Sequence, residues 1–308
     1  MSVSIQAQPE DACRILTDYS RVIANFGAIV AVQDSAGGPP LQASPLSKLP
    51  LLVAGDLVRL ETDDAGARRI TALRPRETVL SRPDRRGVPK PLAANLSHLA
   101  IVCAEPPGFD LLLTDQFCIA CTESGIEPII VINKVDLLAE ADKQQVLDWC
   151  KVYQRIGYDT VMVSTKRDGA MDPLFKVLEG KAVALVGASG VGKSSIVQCL
   201  LPDLDVRVGA LSESSGLGSH TTSVTHWYER AGQSAIVDSP GVRQFLVTHL
   251  EARDVRHGYL EISRLGAQCR FGNCTHVVEP NCAVLSALSD GEIAQWRYDN
   301  YLKLLKQA

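Results

Sequence analysis

No stretch of this chain is apolar for anything near the roughly 20 residues that a membrane-spanning helix needs. The longest apolar runs, such as Pro128–Ile132 and Ala182–Val186, have the length of single strands, so no membrane insertion is expected. The first residues, Met1–Asp11, lack a basic start and an apolar stretch, which speaks against a secretory leader and for a cytoplasmic protein. An excess of positive charge is also missing. The net charge is −4, which argues against a protein that coats nucleic acid along its whole surface. No internal repeat is apparent.

What is present is enough apolar sequence, 46% of 308 residues, to bury the cores of two or three domains. Five of the nine cysteines (Cys103, Cys118, Cys121, Cys150, Cys199) lie in apolar segments and a sixth, Cys13, stands alone. They read as small hydrophobes of a reducing compartment. From about Cys13 to Leu73, short β-like stretches alternate with turn-forming residues, as in Gly27–Val32 and Gly55–Leu60 around the Gly/Pro/Ser-rich Ser35–Pro50, which predicts a small all-β module. Arg68, Arg69, Arg74, Arg76, Arg82, Arg85, Arg86 and Lys90 then form a basic island, read equally as a solvated linker or as a contact to a phosphate backbone. Past Pro91, strand-like runs (99–103, 129–132, 160–163, 182–186, 224–228, 235–237) alternate with amphipathic stretches. One stretch starts at the N-cap candidate Asp110 and stops at Gly125, and another stops at Gly157. This alternation predicts an α/β domain with a mainly parallel sheet. From about Leu250 the chain turns helical.

Three constellations carry chemistry. The run Gly187-Ala188-Ser189-Gly190-Val191-Gly192-Lys193-Ser194, followed by Ser195, matches a phosphate loop between a buried strand and an apolar helix. Its glycines let backbone N–H groups surround a β-phosphate at the positive end of the helix. Lys193 would bridge the β- and γ-phosphates, and Ser194 would offer its hydroxyl to magnesium. Upstream of it, Asn133-Lys134-Val135-Asp136 leaves the strand 129–132. Asp136 can accept both donors of a guanine edge. Adenine would leave that carboxylate unpaired, at a cost of about 1–3 kcal/mol. Lys134 would lay its stem over the base, Asn133 would tie the loop to the phosphate side, and Ser164 in Ser164-Thr165-Lys166 would face the guanine O6 edge. Downstream, Asp238-Ser239-Pro240-Gly241 has the form of a magnesium and γ-phosphate sensor. Asp238 would hold magnesium through water, with the Gly241 N–H at the γ-phosphate. Thr222, with Thr221 close behind, is the favoured hydroxyl for closing over magnesium. Val242 stands where a water-positioning glutamine is common, so intrinsic hydrolysis is expected to be slow. His220 either orients water instead, or anchors its loop or contacts a partner. The catalytic candidates are thus His220, Thr222, Asp238, Gly241 and Lys193.

Near the C-terminus, Cys269, Cys274, His276 and Cys282 offer three thiols and one imidazole, a closed tetrahedral set for one structural zinc ion. The base reader precedes the phosphate loop, the reverse of the Ras order, so the GTPase domain is expected to be circularly permuted.

The ordered set Asn133–Asp136, Gly187–Ser195, Gly218–Thr222, Asp238–Gly241 and Cys269–Val284 resembles the small ribosomal subunit biogenesis GTPase RsgA (YjeQ) family over nearly the whole chain. The resemblance implies a multidomain protein with an N-terminal all-β OB-fold (1–78) that binds RNA, a central α/β circularly permuted P-loop GTPase domain (79–248) and a small helical zinc-binding domain (249–308). It implies GTP and GDP as ligands, magnesium with GTP, the small ribosomal subunit and its rRNA as partners, and a slow GTPase stimulated by that subunit. A monomer is expected. Between Leu41 and Pro50 the chain lacks the basic stretch common in the family. A nucleotide-dependent rRNA-binding scaffold with negligible turnover is the alternative, and an ATP-dependent enzyme is disfavoured by Asp136.

Overall fold

The structure, a computed structural model, describes residues 19–34, 38–84, 86, 88–203, 224–230, 233–238 and 250–308. Contacts divide the chain into two compact units, one drawn from Met1–Leu96 and Leu201–Val242, the other from Ser97–Leu200 and Arg243–Ala308.

In the first unit five short strands form a barrel: β1 (Ser20–Asn25), β2 (Val30–Gln33), β3 (Leu41–Pro45), β4 (Leu57–Thr62) and β5 (Arg68–Leu73). Their order is β1-β2-β3-β5-β4, with β4 returning to β1 and β3 parallel to β5, the Greek-key closure of an OB-fold. Alternation puts Val22, Val30, Val32, Val58 and Ile70 inside, each fully buried. The basic island is not a linker. Arg68 and Arg69 open β5, and Arg76 is spent on an ion pair with the fully buried Asp56 (Nε–Oδ1 2.7 Å, Nη2–Oδ2 2.8 Å). Arg82 and Lys90 face each other across a hairpin of β6 (Val79–Pro83) and β7 (Pro89–Ala94). Aspartates shape the turns, Asp63 accepting from the N–H groups of Ala65 and Ala67, and Asp84 from those of Arg86 and Val88. Gly55 (φ +94°) must be glycine, because a Cβ there would lie 2.0 Å from the Ala94 carbonyl oxygen. A second hairpin, β12 (His226–Arg230) with β13 (Ser234–Asp238), joins the barrel where His226 pairs with Ala24.

In the second unit four parallel strands run in the order β10-β9-β8-β11: β8 (His98–Ala104), β9 (Glu127–Asn133), β10 (Asp159–Met162) and β11 (Ala182–Val186). Every residue of β8 is buried, as expected of a central strand covered on both faces. The connecting helices are α1 (Leu111–Ser124), α2 (Glu140–Ile156), α3 (Asp172–Val177) and α4 (Lys193–Leu200). Asp110 caps α1 by accepting from the Leu113 N–H (2.9 Å), and Gly125 and Gly157 end α1 and α2 in the left-handed conformation. Burial pushes the Cys103 thiol up to about 11 and the Cys118 and Cys121 thiols well above the usual range, so these groups stay protonated and inert.

Among the described residues, four more helices belong to this unit: α5 (Ala252–Gly258), α6 (Leu260–Gly266), α7 (Ala283–Ser289) and α8 (Gln295–Gln307). Their core of Val255, Tyr259, Ile262, Val284, Tyr301 and Leu304 includes Ile119 of α1. The crossing is close. A Cβ on Gly258 would meet Ile119 Cγ2 at 2.7 Å. Beside it lies a buried polar cluster around Asp115, which is fully buried on α1. Asp115 accepts from Tyr153 Oη (2.7 Å), Tyr259 Oη (3.1 Å), Asn300 Nδ2 (2.8 Å) and Arg297 Nη1, while Arg297 also donates to both oxygens of Glu261. Among the described residues no helix is long and apolar enough to cross a membrane.

Candidate functional site

The carboxyl ends of β9, β10 and β11 bring three of the predicted loops to one edge of the parallel sheet, where ligands of open α/β folds bind. The phosphate loop leaves β11 at Gly187 (φ +136°), where a Cβ would lie 2.2 Å from the Val102 carbonyl oxygen. It closes through Gly190 and Gly192, both at positive φ, and leads into α4 at Lys193. Lys193 Nζ donates to the carbonyls of Gly187 (2.8 Å) and Ala188 (2.6 Å), which puts the ammonium inside the loop.

Asn133, 1% exposed, donates from Nδ2 to the Val191 carbonyl (2.9 Å), so the base-reading loop is tied to the phosphate loop as the sequence suggested. Gly192 makes that contact possible, since a Cβ on it would reach Asn133 Nδ2 at 2.4 Å. The Asn133 Oδ1 is buried without a partner among the described residues. Lys134 takes a left-handed φ of +58° and donates from Nζ to the Pro106 carbonyl (2.9 Å). Asp136 is half-buried. Its carboxyl is held below the usual range, first by the Ser164 hydroxyl, which donates to Oδ1 at 2.5 Å. Ser164 in turn accepts from the Lys166 N–H (3.1 Å), so its oxygen aims the acid rather than facing outward. Asp238 ends β13 in the first unit. His220, Thr222 and Gly241 lie outside the described residues.

The second cluster gathers Cys269, Cys274, His276 and Cys282, whose ligand atoms all lie within 4.8 Å of one another. Sγ of Cys269 and Cys282 are 3.8 Å apart, and His276 Nδ1 is 3.5 Å and 3.4 Å from them. A tetrahedral zinc with bonds of about 2.3 Å to sulfur and about 2.0 Å to nitrogen has edges of about 3.8 Å and about 3.5 Å. The donor set therefore fits that ion. Glu279 holds the loop between the ligands, accepting from the N–H groups of Thr275, Val277 and Val278 and from the Thr275 hydroxyl. Tyr298 and Tyr301 donate to the His276 and Thr275 carbonyls.

The sequence model of the RsgA GTPase family matches residues 73–248, more than half of the chain. The chain belongs to the RsgA GTPase family. Two relatives called small ribosomal subunit biogenesis GTPase RsgA are similar to it over 92% of its length and 84% of theirs, at 40% identity from Pseudomonas fluorescens and 41% from Pseudomonas aeruginosa. Among solved structures, YjeQ from Thermotoga maritima superposes with a TM-score of 0.77 at 26% identity, covering 94% of this chain and 98% of that one. YloQ, described as a circularly permuted GTPase, shares the fold with a TM-score of 0.76 at 24% identity, each chain covered to 94%.

Sequence reasoning passed over several residues that shape the second unit. Asp115 stood in a stretch read only for its apolar face, and its four donors come from three distant segments. Glu279 carried a local signal, since an acid three residues after His276 can cap a tight loop. Pro106, which receives the Lys134 ammonium, belongs to none of the motifs.

Proposed function

We propose that this chain is a GTP-hydrolysing factor in the biogenesis of the small ribosomal subunit, with slow intrinsic turnover that the subunit stimulates. The observation that carries the reading is the Asn133–Val191 contact, which joins a guanine-reading loop to a phosphate loop at one sheet edge. In this reading Asp136 takes the two guanine donors, with Ser164 and Val135 supporting the loop, and Lys134 covers the base. The N–H groups from Gly187 to Ser195 and the Lys193 ammonium take up the phosphate charge. Magnesium, bound with GTP, would screen the β- and γ-phosphates. Ser194, Thr222 and Asp238 are the residues to hold it, with Gly241 meeting the γ-phosphate and His220 orienting water. One zinc ion held by Cys269, Cys274, His276 and Cys282 would stabilise the C-terminal helices, leaving no open position for chemistry. The division into a barrel (1–78), a GTPase domain (79–248) and a zinc-binding domain (249–308) belongs to the same reading, as do contacts to rRNA, a cytoplasmic location and a monomeric state.

Steady-state GTP hydrolysis with and without purified small subunits tests it. Stimulation well above the sum of the separate rates is expected. A flat response would leave the rRNA-binding scaffold, which Val242 in the glutamine position favours.

A further inference from the structure

Three of the four parallel strands end in loops that the guanine-nucleotide motifs explain. The fourth, β8, ends in Glu105-Pro106-Pro107-Gly108-Phe109, which no motif claims. This loop is hydrogen-bonded to the base-reading loop and stands beside the phosphate loop. Its Pro106 carbonyl accepts from Lys134 Nζ at 2.9 Å, and the Pro107 ring stands 3.8 Å and 3.9 Å (Cγ and Cδ) from the point where a side chain on Gly190 would begin. It is also firmly held. The Gly108 N–H returns to the Ala104 carbonyl (3.2 Å), the Phe109 ring meets Trp149 of α2 edge-on at 5.2 Å, and the next residue, Asp110, caps α1. Asp115, the fifth residue of α1, fixes that helix to α2 and α8.

We propose that the 105–109 loop is a positioning element of the guanine site: it anchors the Lys134 ammonium so that the lysine stem is already laid out for the base. A free lysine loses several rotatable bonds when it covers a ligand, whereas one tied at its tip to a fixed carbonyl has already lost most of that freedom. Two prolines keep the backbone φ of the acceptor segment narrow, so the carbonyl does not follow the lysine. The inference rests on the reading that these loops bind guanine nucleotides.

A double-mutant cycle on dissociation constants for fluorescently labelled GDP and GTP tests it, with magnesium present and small subunits absent. Lys134→Met keeps the stem and loses the ammonium, and Pro106→Gly with Pro107→Gly frees the acceptor. Each is expected to weaken binding by about tenfold, mostly through faster release, and the combination by no more than Lys134→Met alone, because both remove one tether. Lys134→Arg should recover most of the affinity in the unaltered loop and little in the freed one. Losses that multiply to about a hundredfold in the combination, or full recovery by arginine in the freed loop, would overturn the proposal. If the double glycine variant does not fold, Pro107→Ala replaces it in the same cycle with the same criteria. Equal affinity of the unaltered protein for ATP and GTP would instead overturn the guanine assignment beneath it.

Discussion

Asp115→Asn is nearly isosteric, yet it should be among the costliest single changes in this chain. The carboxylate is fully buried and its oxygens accept four donors, from Tyr153 and Arg297 on Oδ1 and from Tyr259 and Asn300 on Oδ2. An asparagine amide replaces one of those oxygens with a donor, so the two groups that donated to it lose a charged acceptor; a tyrosine hydroxyl or the Asn300 amide can turn to accept instead, whereas Arg297 cannot. Losing two hydrogen bonds to a charged group costs about 3–6 kcal/mol before that recovery. Removing one partner of a buried ion pair gives an independent figure of about 3–5 kcal/mol. The lower part of that range applies, because Glu261 still faces the Arg297 guanidinium through two hydrogen bonds. A loss of about 3–4 kcal/mol is therefore expected, roughly 10 °C in melting temperature for a unit of this size. Glu261→Gln should cost less, since its side chain is 15% exposed and water can reach it. Urea unfolding followed by tryptophan fluorescence in a Trp227→Phe background would report on Trp149 and Trp296, which lie in the same unit as Asp115. A cost below about 1 kcal/mol, or one no larger than that of Glu261→Gln, would refute the reasoning.

Asp136→Asn should weaken guanine nucleotides by about ten- to a hundredfold and improve xanthine nucleotides, which put a carbonyl where guanine has its amine; competition binding reads both. Gly187→Ala should abolish nucleotide binding in a protein that still folds, because the loop must move off the Val102 carbonyl; equilibrium dialysis against GDP checks it. One zinc per chain is expected by elemental analysis, and Cys274→Ser should lose it together with several degrees of thermal stability. Burial lowers the pKa of His98, where Lys181 adds to the effect and Glu127 and Asp159 oppose it, and of His226, where Asp238 opposes it. The folded chain thus resists protons that the unfolded chain accepts near pH 6.5, so stability should fall as pH drops from about 7 to 5. Denaturant midpoints across that range should flatten in His98→Gln with His226→Gln.

Elements set by local chemistry were legible in the sequence. Asp110 and Gly125 bracket α1, Gly157 ends α2, and the strand runs of the parallel sheet fall within about two residues of their observed limits. The two loops that meet through Asn133 and Val191, and the gathering of Cys269, Cys274, His276 and Cys282, were legible because backbone curvature and ligand geometry impose fixed spacings. Less readable was β3, whose Leu41–Pro45 lies inside a Gly/Pro/Ser-rich stretch and is strand only because it pairs with β2 and β5. The same holds for β5 and the β6–β7 hairpin, where dense positive charge masked the alternation. Asp115 was unreadable for a different reason. A buried acid makes sense only beside its donors, and the farthest is 185 residues away.

The barrel unit is assembled from two separated pieces of chain, and this has a consequence for synthesis. Strand β1 offers Ala24 to His226, about two hundred residues later, so that part of its edge stays bare while the whole parallel sheet is being made. At about 5–20 residues per second the wait lasts some tens of seconds. An unpaired edge open that long is a template for wrong partners. The nascent protein thus carries an aggregation hazard early, at a strand edge that the finished fold covers.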